Sequence, residues 1–226
     1  RQYDGTAVIE GGIMTIAGLN GVEQFTAAGE LTLGSKHITS GPVTPNGVAG
    51  LTLAGVNDAL VSNYNPLSVD QTSVTVTPYI LDITAPVVSK VYDGSAIYRV
   101  TAQDLQTLTD QLVGADFVLN AEMTFNDANV LRDADGIERG DRTVTLDSIT
   151  IQDGNNGQNY SYTLNGNDAS EILGANLTVT PVNDAKLLGQ ADGTGYRGLI
   201  YSGFVAGENE AVFGNATPSI SRAPGE

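Results

Sequence analysis

Six residues near the start of the chain, Gln2-Tyr3-Asp4-Gly5-Thr6-Ala7, return 89 positions later as Val91-Tyr92-Asp93-Gly94-Ser95-Ala96. Two further landmarks recur in the same order. Ser62-Asn63-Tyr64 returns as Gln158-Asn159-Tyr160, and Val74-Thr75-Val76-Thr77-Pro78 returns as Leu177-Thr178-Val179-Thr180-Pro181. The offset grows from 89 to 96 to 103, so the second copy carries inserted residues between shared landmarks. Ordered self-similarity of this kind marks a repeat. The expected division is residues 1–78, residues 79–181, and a third unit, 182–226, about half the length of the others. The first unit lacks a counterpart of Tyr79–Lys90, and the third stops early. Such ragged ends are expected of a window cut from a longer array, or of units completed by neighbouring chains through strand complementation.

Charge and residue usage restrict the partners. Of 226 residues, 26 are Asp or Glu and only 10 are Lys or Arg, a net charge of −16. That balance disfavours nucleic acid, because phosphate neutralisation needs clustered cations, and it disfavours anionic membrane surfaces. No apolar run is long enough to span a membrane, and no basic-then-apolar leader opens the sequence at Arg1. With no cysteine and one histidine, His37, disulfides are impossible and the usual zinc ligand sets are nearly excluded.

The short-range pattern is that of strands. Val144 and Leu146 alternate with Thr143 and Thr145, and Leu177 and Val179 with Thr178 and Thr180, as in half-buried strands with one wet face. Asn-Gly and Gly-Gly pairs punctuate them and favour antiparallel turns. One stretch differs. Leu105, Leu108 and Leu112 are spaced three and four apart, with Thr101 and Asp104 as a cap and Gly114 as a stop, which predicts a short helix over Thr101–Val113. A weaker counterpart is expected around Glu208–Phe213. The expected fold class is all-β, with one short helix per unit, as tandem small β-sandwich or β-grasp-like domains.

The Val91–Ser95 opening, the Asn159-Tyr160 pair and the closing Leu177–Pro181 resemble the YDG repeat of large bacterial surface exoproteins of the filamentous-haemagglutinin-like adhesin kind. The third unit resembles the related MBG repeat, through Val182–Lys186 and Tyr201–Asn209. It departs from that pattern at Leu187-Leu188-Gly189, where an aromatic before glycine is expected. The resemblance implies a structural stalk or spacer of an exported adhesin or biofilm-matrix fibre, outside the cell, partnered by neighbouring repeats and with no enzymatic activity. A carbohydrate- or matrix-polysaccharide-binding module and a self-assembling filament subunit are the alternative expectations.

Candidate sites are few. Tyr3-Asp4-Gly5 and Tyr92-Asp93-Gly94 read first as architecture: aspartate before glycine makes a turn, and tyrosine packs its ring while its hydroxyl seeks a partner. Asn63-Tyr64 and Asn159-Tyr160 belong to the same structural set. A calcium ion is the one cofactor with a candidate site. Asp133, Asp135, Glu138 and Asp141 lie close together around Gly136, in the unit that carries −10 of the net charge. Arg132, Arg139 and Arg142 lie in the same stretch and offer these acids partners without metal. The EF-hand pattern is not met. His37 has no accompanying nucleophile motif, and Thr26-Ala27-Ala28-Gly29, which resembles a di-alanine protease-release site, reads first as ordinary turn-to-strand sequence.

Overall fold

The computed structural model describes residues 1–10, 24–28, 30–39, 41, 52–56, 59–65, 74–182, 198–205 and 207–216. Its strands in chain order are β1 (Val8–Glu10), β2 (Gln24–Ala28), β3 (Glu30–Thr32), β4 (Thr52–Val56), β5 (Tyr79–Thr84), β6 (Ser89–Val91) and β7 (Ile97–Tyr98), then β8 (Phe117–Phe125), β9 (Arg142–Gln152), β10 (Tyr160–Asn165), β11 (Asn167–Leu173), β12 (Thr178–Pro181) and β13 (Leu199–Ser202). Among the described residues one α-helix, α1 (Ala102–Thr109), interrupts them. The chain is all-β in class, with 44% strand against 11% helix.

The chain forms two compact units that are not consecutive in sequence. The first takes Arg1–Pro86, Val100–Glu122 and Leu146–Asn165; the second takes Val87–Arg99, Met123–Thr145 and Gly166–Glu226. The core of the first unit includes Tyr3, Ile9, Leu31, Leu33, Val76, Ile83, Leu108, Val118, Leu146 and Tyr160. That of the second includes Val88, Met123, Phe125, Val144 and Ile172. In the second unit, Tyr98 meets Phe125 edge-on at 6.2 Å.

Helix α1 begins where the sequence predicts. Thr101 Oγ1 accepts from the Asp104 backbone, and the Asp104 carboxylate accepts from the Thr101 backbone, a reciprocal capping box. Leu108 is fully buried, whereas Leu105 and Leu112 are partly so. The helix stops at Thr109, four residues short of the predicted end. The chain then turns through Leu112 N–H to Thr109 O and Gln111 N–H to Leu108 O, three-residue spacings that tighten the exit. In the third unit the expected helix is a 3-10 turn over Glu210–Ala216, broken at Gly214, which sits at φ 53°.

Antiparallel pairing is expected from the turn signals, and β1–β3, β2–β4, β7–β8, β9–β11 and β12–β13 follow it. Two pairs are parallel instead: β5 with β10, and β6 with β11. Turn residues report only short connections. These partners are separated by a long crossover, which is what parallel pairing requires. The resulting five-stranded sheet runs β6-β11-β9-β8-β7. The alternation of β9 buries Val144 and Leu146 as expected. In β12, however, every residue is exposed. Its described sheet has β13 as its sole other member, so the Val/Thr alternation there has no second layer to face among the described residues.

Candidate functional site

Both Tyr-Asp-Gly segments are built by the same bonds. Asp4 Oδ1 accepts from the Thr6 backbone at 2.9 Å, and Asp93 Oδ1 from the Ser95 backbone at 3.0 Å, which closes an Asx turn in each. Gly5 and Gly94 follow at φ 81° and 78°, in the left-handed region that only glycine enters freely. A cation two residues before each tyrosine then clamps the loop. Arg1 pairs with Asp4 at 2.9 Å and donates to the carbonyls of Thr6 and Val8. Lys90 pairs with Asp93 at 2.6 Å and donates to the carbonyls of Ser95 and Ile97. That ammonium holds the Asp93 carboxyl below the ordinary carboxylate range.

The strand leaving each loop also keeps one register. Val8 faces Thr32 and Ile9 faces Leu31; Ile97 faces Thr124 and Tyr98 faces Met123. Leu33 N–H reaches Ala7 O at 2.7 Å, and Phe125 N–H reaches Ala96 O at 2.8 Å. On the entering side, Tyr3 N–H bonds to Thr77 O and Tyr92 N–H to Leu173 O, each in a parallel pairing. The partner of the second tyrosine is thus Leu173, in β11, rather than a residue of the Leu177–Pro181 landmark.

The two tyrosine hydroxyls end on carboxylates. In the first unit, Tyr3 Oη donates to Asp116 Oδ2 at 2.8 Å, and Tyr160 Oη donates to the same oxygen at 2.7 Å. Lys36 Nζ donates to Asp116 Oδ1 at 3.3 Å and lies 5.8 Å from the centre of the Tyr3 ring. The Asp116 side chain is 3% exposed, so this is a buried acid satisfied by two phenols and a half-covered lysine. The rings of Tyr3 and Tyr160 meet edge-on at 5.6 Å. Burial first, and then the adjacent Asp116, push the Tyr3 hydroxyl well above the ordinary tyrosine range; burial does the same for Tyr160. In the second unit, Tyr92 Oη donates to Glu208 Oε1 at 2.5 Å, which raises the Tyr92 hydroxyl from its ordinary value.

A loop in the first unit explains Asn159 and His37. Asp153 is 2% exposed and accepts backbone N–H groups from Asn155, Gly157 and Asn159. Burial raises its carboxyl, but those donors together outweigh burial and leave it below the ordinary range. Asn159 Oδ1 accepts from Ile38 N–H and from Asn155 Nδ2, which fixes its amide orientation. Its Nδ2 therefore donates to His37 Nδ1 at 2.9 Å, so the His37 proton sits on Nε2. The other member of the landmark pair is placed differently: Asn63 is exposed in a 3-10 turn, and Tyr64 packs edge-on against Phe25 at 5.3 Å.

The four calcium-candidate acids are dispersed around a hairpin. Asp133 Oδ1 accepts from the backbones of Asp135 and Ile137. Glu138 pairs with Arg132 at 2.7 Å and accepts from Gly174 N–H, while Asp141 pairs with Arg139 at 2.9 Å. Asp135 is exposed. Among the described residues no three acidic or histidine side chains converge as a metal site. Thr26, Ala27 and Ala28 lie in β2, paired with Ala54, Leu53 and Thr52; Gly29 lies outside the described residues.

Sequence reading identified the tyrosines but missed the groups that hold them: Arg1, Lys90, Lys36, Asp116, Asp153 and Glu208. A signal existed for two of these, since Arg1 and Lys90 stand at the same 89-residue offset as the motif. No protein-family model, no curated protein and no solved structure matches the chain.

Proposed function

We propose that the chain is a structural spacer, a run of tandem repeats in the stalk of an exported bacterial adhesin or matrix fibre. The observation that supports this reading best is the duplicated Tyr-Asp-Gly corner. The motif, its Asx turn, its cation clamp and its strand register recur together, with the polar groups of the loop turned onto its own backbone. A side chain so engaged holds a loop in shape rather than offering itself to a substrate. A net charge of −16 favours solubility and resists non-specific association between such surfaces.

The test is antibody labelling of intact source cells, with antibody raised against this chain. The reading predicts labelling outside the unpermeabilised envelope. Signal that appears only after permeabilisation contradicts it.

A further inference from the structure

We infer that each Tyr-Asp-Gly segment is a docking element, and that its receptor is a Val-x-x-acid turn in the repeat that follows it. The two instances match on both sides. The docking residues are offset by 89, Tyr3 to Tyr92 and Gly5 to Gly94, whereas the receptor residues are offset by 92, Val113 to Val205 and Asp116 to Glu208.

Each receptor is a turn closed on itself, by Asp116 N–H to Val113 O at 3.4 Å and by Glu208 N–H to Val205 O at 2.9 Å. Each acid takes the tyrosine hydroxyl, at 2.8 Å from Tyr3 and 2.5 Å from Tyr92. Each glycine lies against the same end of the turn. A Cβ on Gly5 would stand 2.9 Å from Gly114 Cα and 3.3 Å from Val113 O, and one on Gly94 would stand 3.2 Å from Val205 Cγ1. Glycine is thus needed at both positions for its positive φ, and at Gly5 also for the close approach of the receptor backbone. A tyrosine at an isolated turn would need no acid more than a hundred residues away. Two such pairings, 113 and 116 residues apart, point to one interaction used twice.

The compact units agree with this division. Val100–Glu122, which holds the Asp116 turn, is grouped with Arg1–Pro86, and Gly166–Glu226, which holds the Glu208 turn, is grouped with Val87–Arg99. The compact units therefore cut across the sequence repeats, and the second and third repeats lend their receptor turns to the units begun by the first and second. The two dockings differ in strength. Asp116 is buried and shared with Tyr160 and Lys36, while Glu208 is half-buried and bonded to Tyr92. The inference rests on reading the chain as tandem repeats, not on its being exported, so a failed surface-labelling experiment leaves it standing.

The test is hydrogen exchange on the full chain carrying Tyr92→Phe, Glu208→Ala, or both. Losing a hydrogen bond to a charged group is expected to speed opening by roughly tenfold or more. Either single substitution should accelerate exchange in both Ser89–Tyr98 and the 205–208 turn, and the double variant should be no worse than the stronger single one. Acceleration confined to the substituted segment, or effects that simply multiply in the double variant, would overturn the inference. If Tyr92→Phe does not fold, Glu208→Ala decides alone, because docking requires its effect to reach Ser89–Tyr98.

Discussion

Asp116 ties Tyr3, Tyr160 and Lys36 together in the first unit, and a buried carboxylate is tolerated only while its partners are in place. Asp116→Ala would strand the hydroxyls of Tyr3 and Tyr160 in the core and release Lys36, at an expected cost of about 3–5 kcal/mol in chemical denaturation. Asp116→Asn keeps one acceptor oxygen and should cost less. The tyrosines give this network a pH signature. Their folded-state pKa values are raised, so the stability they confer is complete below the unfolded tyrosine value of about 10 and is lost as pH rises above it. Tyr3→Phe should flatten that alkaline limb in a series of melts. The glycines separate in the same manner. Gly5→Ala drives its methyl into backbone, while Gly94→Ala meets a valine methyl able to turn aside. Both incur the positive-φ penalty of about 1–2 kcal/mol, with Gly5→Ala the more damaging in thermal melts.

Elements whose bonds are local were legible in the sequence. Helix α1 is specified by its Leu spacing and by Thr101 with Asp104, and Thr101→Ala should cost about 1 kcal/mol in the melting of the full chain. The β9 alternation was legible for the same reason: Val144 and Leu146 face a core. The parallel pairs were not, since a crossover from β6 to β11 leaves no mark on either strand. Nor was the hairpin around Gly136. Its acids offered a calcium candidate beside a metal-free pairing with neighbouring arginines; Asp133 accepts from its own backbone, and Glu138 and Asp141 pair with Arg132 and Arg139. With these acids engaged by backbone and arginine, millimolar Ca²⁺ is expected to leave the melting temperature unchanged, and a clear rise would assign the loop a metal. The Asp153 loop answers to acid instead. Its carboxyl is held below the ordinary range, so its stabilisation is present above about pH 4 and falls away as pH drops through the folded-state value. Asp153→Asn should weaken the neutral-pH protein and blunt its acid unfolding.

At the scale of the whole molecule, the repeat and the compact unit are different objects. Boundaries drawn at Pro78 and Pro181 follow the landmarks of sequence, whereas the units exchange segments around Pro86, Glu122 and Asn165. Proline-marked landmarks record where a motif recurs. They do not record which tyrosine reaches which acid, because Tyr3 and Asp116 are 113 residues apart and no local pattern couples them. One docking, between a Tyr-Asp-Gly segment and the turn that receives it, recurs in both units. Nuclear Overhauser contacts in the isotopically labelled full chain test it most directly. The prediction is two matching sets, from the Tyr3 ring to Asp116 with Gly5 to Gly114, and from the Tyr92 ring to Glu208 with Gly94 to Val205. A spectrum with the first set but not the second would contradict it.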